Sequence, residues 1–263
     1  MAVIIIIFHK YNTRKYITPC ISVLIMVFLC NKLLKNKHNY NVYMDLISHI
    51  EKSIDDAQNY KSKINNFCKD VHGMTGEKTR HFYNNICALD NCRYLEIGVF
   101  QGSSSCSALY NNNITAVFID NFQMSKDNNE GMLIKNKFIS NINNVKGQNE
   151  VSFLNENCWN VDVEKIKKYK FNVYLYDGNH EVISQYNALK HYLPCLDDIF
   201  IFIVDDWNDS RAREGTLKAI TDLNLEISYK KEILLTTDNT HTPVHIAKKD
   251  FWNGMAVFLL KKM

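Results

Sequence analysis

Between Cys92 and Lys262 short apolar runs alternate with segments of helical spacing. "CRYLEIGV", "TAVFIDNF", "EVSFLNENCW", "FNVYLYDGNH", "DIFIFIVDDWND", "EISYKKEILLTT" and "GMAVFLLKK" read as seven strands. "SSSCSALYNN", "FISNINNV", "VISQYNALKHYLPCL" and "REGTLKAITDLN" read as helices or helix ends between them. Strand–helix alternation predicts a doubly wound α/β fold with helices on both sheet faces. The unbroken "IFIFIV" agrees, because a strand covered on both faces needs no polar alternation. Ahead of this region, "NVYMDLISHIEKSIDDAQNYKSKINNFC" carries apolar residues at helical spacing and predicts one or two amphipathic helices. "GMTGEKTRHFYNNICAL" predicts a further helix, which could pack or could bring His81 or Tyr83 over a ligand. The expected organisation is an N-terminal segment over 1–40, a helical cap over 41–90 and an α/β domain over 91–263.

The N-terminal segment differs in kind. An apolar run from Ile17 to Cys30 is extended by Leu33 and Leu34, with Asn31 and Lys32 inside the span, and Ile17–Leu34 is just long enough to cross a bilayer. It reads as a single membrane anchor, with a docked or interfacial helix and translated upstream sequence as the other readings. Basic residues flank it on both sides, so charge gives no orientation. The expected location is membrane-associated through this segment and otherwise cytoplasmic. A net charge of +3 over 263 residues leaves no dense basic face, which argues against a nucleic-acid partner. None of the eight cysteines forms a C-x-x-C pair, so neither a zinc ribbon nor a disulfide framework is expected.

In open sheets of this class ligands bind beyond the carboxyl ends of the strands. Four acidic positions fall there: Glu96, Asp120, Asp177 and the pair Asp205–Asp206. Gly98 and Gly102 sit at the first strand–helix turn, with Phe100 where a dinucleotide fingerprint has its middle glycine. That disfavours a pyrophosphate, and with it a nicotinamide-dependent oxidoreductase. Ser103, Ser104 and Ser105 could cap the helix or bond a ligand carboxylate, and Glu96 could accept from an ammonium. Asp120 is placed to accept both hydroxyls of a ribose. A nucleoside with an amino-acid tail fits this set.

At "LEIGVFQGSS", "VFIDNF", "YLYDGNH" and "IFIVDDW" the chain resembles the class I S-adenosylmethionine-dependent methyltransferases. Among them it is similar to the branch of macrocin-type sugar O-methyltransferases and cephalosporin-hydroxylase-like proteins. The resemblance runs from about Thr75 to Lys262. It implies a Rossmann-like seven-stranded sheet, mostly parallel, with an antiparallel last strand in "GMAVFLLKK". It implies cofactor contacts at Glu96, Gly98, Gly102, Ser103 and Asp120, with Asn157, Cys158 and Trp159 near the adenine. It also implies that Asp177, Asp205 and Asp206 hold a metal, Mg²⁺ being the expected ion, and that His180 is the general base. Asn179 departs from the branch, which has an acid there. The implied acceptor is a small hydroxyl-bearing molecule, a sugar or glycan among them, and a homo-oligomer is compatible with it. The alternative function is a non-catalytic, membrane-tethered binding module on the same fold. His241 and His245 have the spacing of helical metal ligands, but Pro243 between them breaks helical geometry, so no metal role is expected there.

Overall fold

The computed structural model describes residues 43–123 and 128–263. Residues 46–263 form one compact unit; of the other unit, 1–45, the described residues 43–45 are helical. The predicted anchor Ile17–Leu34 lies outside the described residues. Among the described residues no helix is long and apolar enough to cross a membrane.

The chain enters the compact unit through helix α1 over residues 46–58. Ile50, Ile54 and Ala57 are buried at a four- and three-residue spacing, the inward stripe of an amphipathic helix. Two further helices follow, α2 (Asn66–Asp70) and α3 (Glu77–Ile86). The buried Arg80 guanidinium donates to the carbonyls of Cys68, Val71 and Thr75 at 2.7–3.1 Å and so fixes the connection between them. Strand–helix alternation then runs β1 (Arg93–Ile97), α4 (Ser103–Leu109), β2 (Thr115–Ile119), α5 (Asn128–Val145), β3 (Glu150–Leu154), α6 (Val163–Ile166), β4 (Phe171–Tyr176), α7 (Val182–Tyr192) and β5 (Leu196–Asp205). The last elements are α8 (Ser210–Asp222), β6 (Leu225–Ile233), α9 (Val244–Ala247) and β7 (Met255–Lys262). The predicted third strand is shorter than expected: it ends at Leu154, and Asn157 then caps a 3₁₀ turn over Cys158–Asn160.

All seven strands form one sheet in the order β3-β2-β1-β4-β5-β7-β6. The β1–β2, β2–β3, β1–β4 and β4–β5 pairs are parallel. β7 runs antiparallel to both β5 and β6, so the expected inserted antiparallel strand is present. Phe200–Val204 of β5 are completely buried, as the continuous apolar run requires.

Side chains alternate between two cores. Leu95, Ile97, Tyr174, Tyr176, Phe202 and Val204 pack with Leu189 and Tyr192 of α7 and with Ile220 of α8. On the opposite face Tyr94 meets Phe118 edge-on, and Phe118 meets Phe138 of α5. Glu96, in phase with Tyr94, therefore points into the face covered by α3 and α4. The order of connection reverses between β1 and β4, which places a crevice at their carboxyl ends.

Candidate active site

Gly98 follows β1 at the crevice, and Asp177 follows β4. The Gly98 backbone is left-handed (φ +84°), and a Cβ there would lie 1.9 Å from the Asp177 carbonyl oxygen. The sequence suggests that this glycine makes room for a ligand. In the structure the room is taken by the neighbouring strand end. Phe100 is also left-handed (φ 46°), a conformation rare for a bulky side chain, and its ring contacts His72. So the position of the missing middle glycine keeps a glycine-like backbone.

Glu96 is fully buried. Ser104 and Ser105 each donate a hydroxyl to one of its two carboxylate oxygens. Ser103 instead hydrogen-bonds Thr75 at 2.7 Å. The serine run therefore ties α4 to β1 and to the segment before α3, and Gly102 (φ 88°), not a serine, is the N-cap of α4. Each Glu96 oxygen thus already accepts one hydroxyl within the buried packing of β1 against α4. Burial raises the Glu96 pKa to about 7, against the two serine hydrogen bonds.

The Asp120 carboxylate lies beneath the same turn. One oxygen accepts the N–H groups of Val99 (2.9 Å) and Phe100 (3.1 Å), and the other accepts that of Phe122 (2.7 Å). Two carboxylate oxygens offer about four acceptor positions. Three are used by backbone, which leaves room for one ligand hydroxyl rather than the two expected. Asn157 accepts from the Trp159 N–H at 3.0 Å. Tyr192 donates to the Cys158 carbonyl at 2.6 Å, anchoring this turn to α7. Burial pushes the half-buried Cys158 thiol up to about 11, so it is not a thiolate nucleophile.

The parallel β4–β5 pairing brings Asp177 beside Asp205 and Asp206, as expected for neighbouring strands. Asp177, His180 and Asp206 offer ligand atoms within 4.8 Å of one another. His180 Nε2 is 2.9 Å from Asp206 Oδ2. Asp205 alternates to the other side of β5, is 3% exposed, and shares a hydrogen bond with Asp177. It lies outside this three-residue group, in which His180 stands beside two of the three expected aspartates. Asp206 is also left-handed (φ 53°), which turns its side chain away from that of Asp205.

The charges in this cluster differ in state. Burial and the surrounding acids, Asp205 first, raise the Asp177 pKa. Burial and the Asp206 charge raise that of Asp205 to about 8. Burial also acts against the Asp206 charge, but the hydrogen bond and charge of His180 outweigh it and hold Asp206 below its usual value. For His180 burial opposes the positive form, yet the Asp206 hydrogen bond and charge prevail and its pKa is raised. Asp205 Oδ1, Asp206 Oδ1, His180 Nδ1 and the Tyr83 hydroxyl are buried with no hydrogen-bond partner among the described residues. Orphaned oxygens beside two aspartates and an imidazole fit a divalent cation, which suits mixed oxygen and imidazole donors.

Tyr83 is the residue whose position the sequence left open. Its phenol is buried, and its pKa is raised by burial and then by Asp205, Asp177 and Glu96, so it lies among the strand-end acids. His81 points elsewhere and bonds Ser62 at 2.8 Å. Asn253, which carried no sequence signal, is buried beside Asp206 and His241.

No protein-family model and no curated protein sequence matches this chain. Among solved structures it is similar to TrmN from Thermus thermophilus, with 11% identity and a TM-score of 0.45 over 74% of this chain and 52% of that one. It is similar to the O-methyltransferase from Bacillus cereus in complex with SAH, with 11% identity and a TM-score of 0.42 over 81% and 91% of the two chains. A third is the ribosomal protein L11 methylase from Lactobacillus delbrueckii subsp. bulgaricus, with 11% identity and a TM-score of 0.44 over 72% and 81%. The chain thus spans about half the length of TrmN (52%). These structures include methyltransferases, but at such identities the likeness is one of chain course and assigns no activity.

Proposed function

We propose that this chain is an S-adenosylmethionine-dependent O-methyltransferase for a small hydroxyl-bearing acceptor. A sugar or glycan is the acceptor class that its sequence motifs suggest. One observation carries the reading. At the crevice where strand order reverses, a tight turn with an acid beneath it lies beside an Asp–His–Asp cluster. The first half suits a nucleoside with an amino-acid tail, and the second suits removal of a hydroxyl proton.

In this reading the methionine portion lies along the turn from Gly98 to Ser103. A ribose hydroxyl donates to the remaining acceptor position of Asp120, and the adenine lies near Asn157, Cys158 and Trp159. His180 gives its Nε2–H to Asp206, which leaves Nδ1 as the nitrogen that can take a proton. The acceptor hydroxyl loses its proton to Nδ1. Its oxygen attacks the sulfonium methyl in line, the carbon–sulfur bond breaks, and S-adenosylhomocysteine leaves. Asp177 and Asp206 would hold a divalent cation, Mg²⁺ in the first instance, whose charge lowers the pKa of the hydroxyl. Membrane attachment through Ile17–Leu34 and assembly into a homo-oligomer belong to the same proposal.

The test is transfer of a labelled methyl group from S-adenosylmethionine to a panel of free and nucleotide-linked sugars, with and without Mg²⁺. Transfer that saturates with one acceptor supports the reading. Cofactor binding without transfer to any hydroxyl acceptor would favour the tethered binding module.

A further inference from the structure

Asp206 also lines a cavity of about 20 Å³, room for a single oxygen, together with Asp209, Asn239, Thr240, His241 and Asn253. Every one of these residues is polar. The segment bearing three of them is held from beneath. Asn208 is buried, donates from Nδ2 to the Thr242 hydroxyl at 3.0 Å, and accepts the Leu235 N–H at 2.9 Å. Arg213 donates to Asn239.

Two hydrogen bonds then fix the protonation of one ring. The Thr242 backbone N–H, which can only donate, lies 2.9 Å from Asn253 Oδ1. That sets the orientation of the amide, so Nδ2 is the atom 2.8 Å from His241 Nδ1. An amide nitrogen only donates, so His241 Nδ1 accepts. The neutral ring therefore carries its proton on Nε2, on the side away from Asn253.

We propose that His241 is a substrate-binding residue whose Nε2–H, set by Asn253, donates to a ligand oxygen in this cavity next to the hydroxyl that faces Asp206 and His180. The inference rests on the methyltransferase reading for the identity of that hydroxyl. The tautomer and the cavity stand apart from it. The ligand chemistry is a neutral molecule carrying two or more oxygens. A hydroxyl can donate to Asp206 or Asp209, and a neighbouring oxygen can accept from His241. Asp206 is paired with His180 and Asp209 with Arg211, so the lining has no unpaired charge that calls for a charged ligand.

The experiment uses the full chain labelled with ¹⁵N-histidine and read by NMR, with myo-inositol as a neutral polyol probe. The His241 signals are assigned by their loss in His241→Gln. We expect Nε2 protonated and Nδ1 bare in the wild type. Asn253→Asp, which replaces the donor with an acceptor, should reverse this. Inositol should shift the Nε2–H signal saturably. Its affinity should fall about tenfold in His241→Phe and Asn253→Asp, the usual loss for one hydrogen bond, and be largely kept in His241→Gln, whose amide can donate. A proton on Nδ1 in the wild type would overturn the inference. So would equal inositol affinity in His241→Phe, or no saturable shift at all. His241 is exposed, so its variants should fold; circular dichroism checks this, and the wild-type tautomer and the Gln variant decide if the Phe variant does not. S-adenosylmethionine affinity, titrated in parallel, should be unchanged in every variant. Its absence in the wild type would sink the methyltransferase reading and leave the tautomer and inositol results to decide this one.

Discussion

His180 Nε2 lies 2.9 Å from Asp206 Oδ2, and this one contact joins the turn leaving β4 to the turn leaving β5. It raises the pKa of the histidine and lowers that of the aspartate, so each is held in its charged form against burial. In the proposed reaction the histidine must be neutral to accept a proton. Its deprotonation is therefore delayed to a pH above its ordinary 6.5. Turnover should rise with pH through that displaced value. In Asp206→Asn the histidine loses the opposing charge, so its own titration midpoint, read by NMR in EDTA, should move to lower pH, and metal-dependent turnover should be lost while S-adenosylmethionine still binds. His180→Ala should lower kcat by roughly 10²–10⁴-fold, the range for a lost general base. An unmoved His180 midpoint in Asp206→Asn, or full turnover by that variant, would detach the pair from the chemistry. EDTA should abolish transfer and Mg²⁺ or Mn²⁺ restore it; full activity in EDTA would remove the cation from the account.

The buried acids make stability depend on pH. Glu96 goes from an ordinary 4.5 to about 7 in the folded chain, and Asp205 from 3.8 to about 8. A carboxyl whose folded pKa is raised binds its proton more tightly when folded. Its contribution is complete below the ordinary value and is lost as pH climbs through the folded one. His180, also raised, acts in the same direction. In EDTA, Tm should fall steadily from pH 5 to pH 9. Glu96→Gln should remove the part of the fall that runs up to about pH 7. A Tm that is flat or rising over this range would contradict the assigned charge states.

Gly98 is expected to matter for folding before it matters for binding. Its left-handed backbone disfavours any side chain, and a Cβ would strike the Asp177 carbonyl. Gly98→Ala should cost roughly 1–3 kcal/mol, the usual penalty for overpacking, and Gly98→Val more. Urea denaturation measures this. A Gly98→Ala chain as stable as the wild type would mean that β1 and β4 do not approach as closely as described.

The segment 1–40 should be separable from the chemistry. The sheet and every proposed site residue lie within the compact unit 46–263. A chain beginning at Asn41 should keep its circular dichroism spectrum and cofactor affinity and should leave the membrane fraction. Loss of the folded spectrum would make the segment part of the core. Recovery of the full-length chain outside the membrane fraction would end the anchor reading.

The strands were legible because their patterns are local. "IFIFIV" must be covered on both faces, and it is. The proximity of Asp177 to Asp205–Asp206 followed from placing β4 beside β5. What the sequence could not tell was direction. Ser104 and Ser105 could have faced a ligand or Glu96, and only the phase of α4 against β1 decides for Glu96. Asp205 and Asp206 read as an equivalent pair. Strand alternation and the left-handed turn at Asp206 separate them, one buried against Asp177 and one paired with His180. In the sequence, Pro243 rules out a helix through both His241 and His245, which hides His241. Pro243 is in fact the N-cap of α9, and His241 lies before it in an extended segment bonded to Asn253, a partner 12 residues away that no short motif reveals.

The central claim is that the turn after β1 and the acid beneath it receive S-adenosylmethionine. Isothermal titration of S-adenosylmethionine and S-adenosylhomocysteine into the full chain measures this directly. We predict saturable binding of both with one site per chain. It should weaken in Asp120→Ala by an amount on the order of 1–3 kcal/mol, as expected for losing a buried hydrogen-bond acceptor. Absence of binding by the folded wild type, or undiminished affinity in a folded Asp120→Ala chain, would contradict the account.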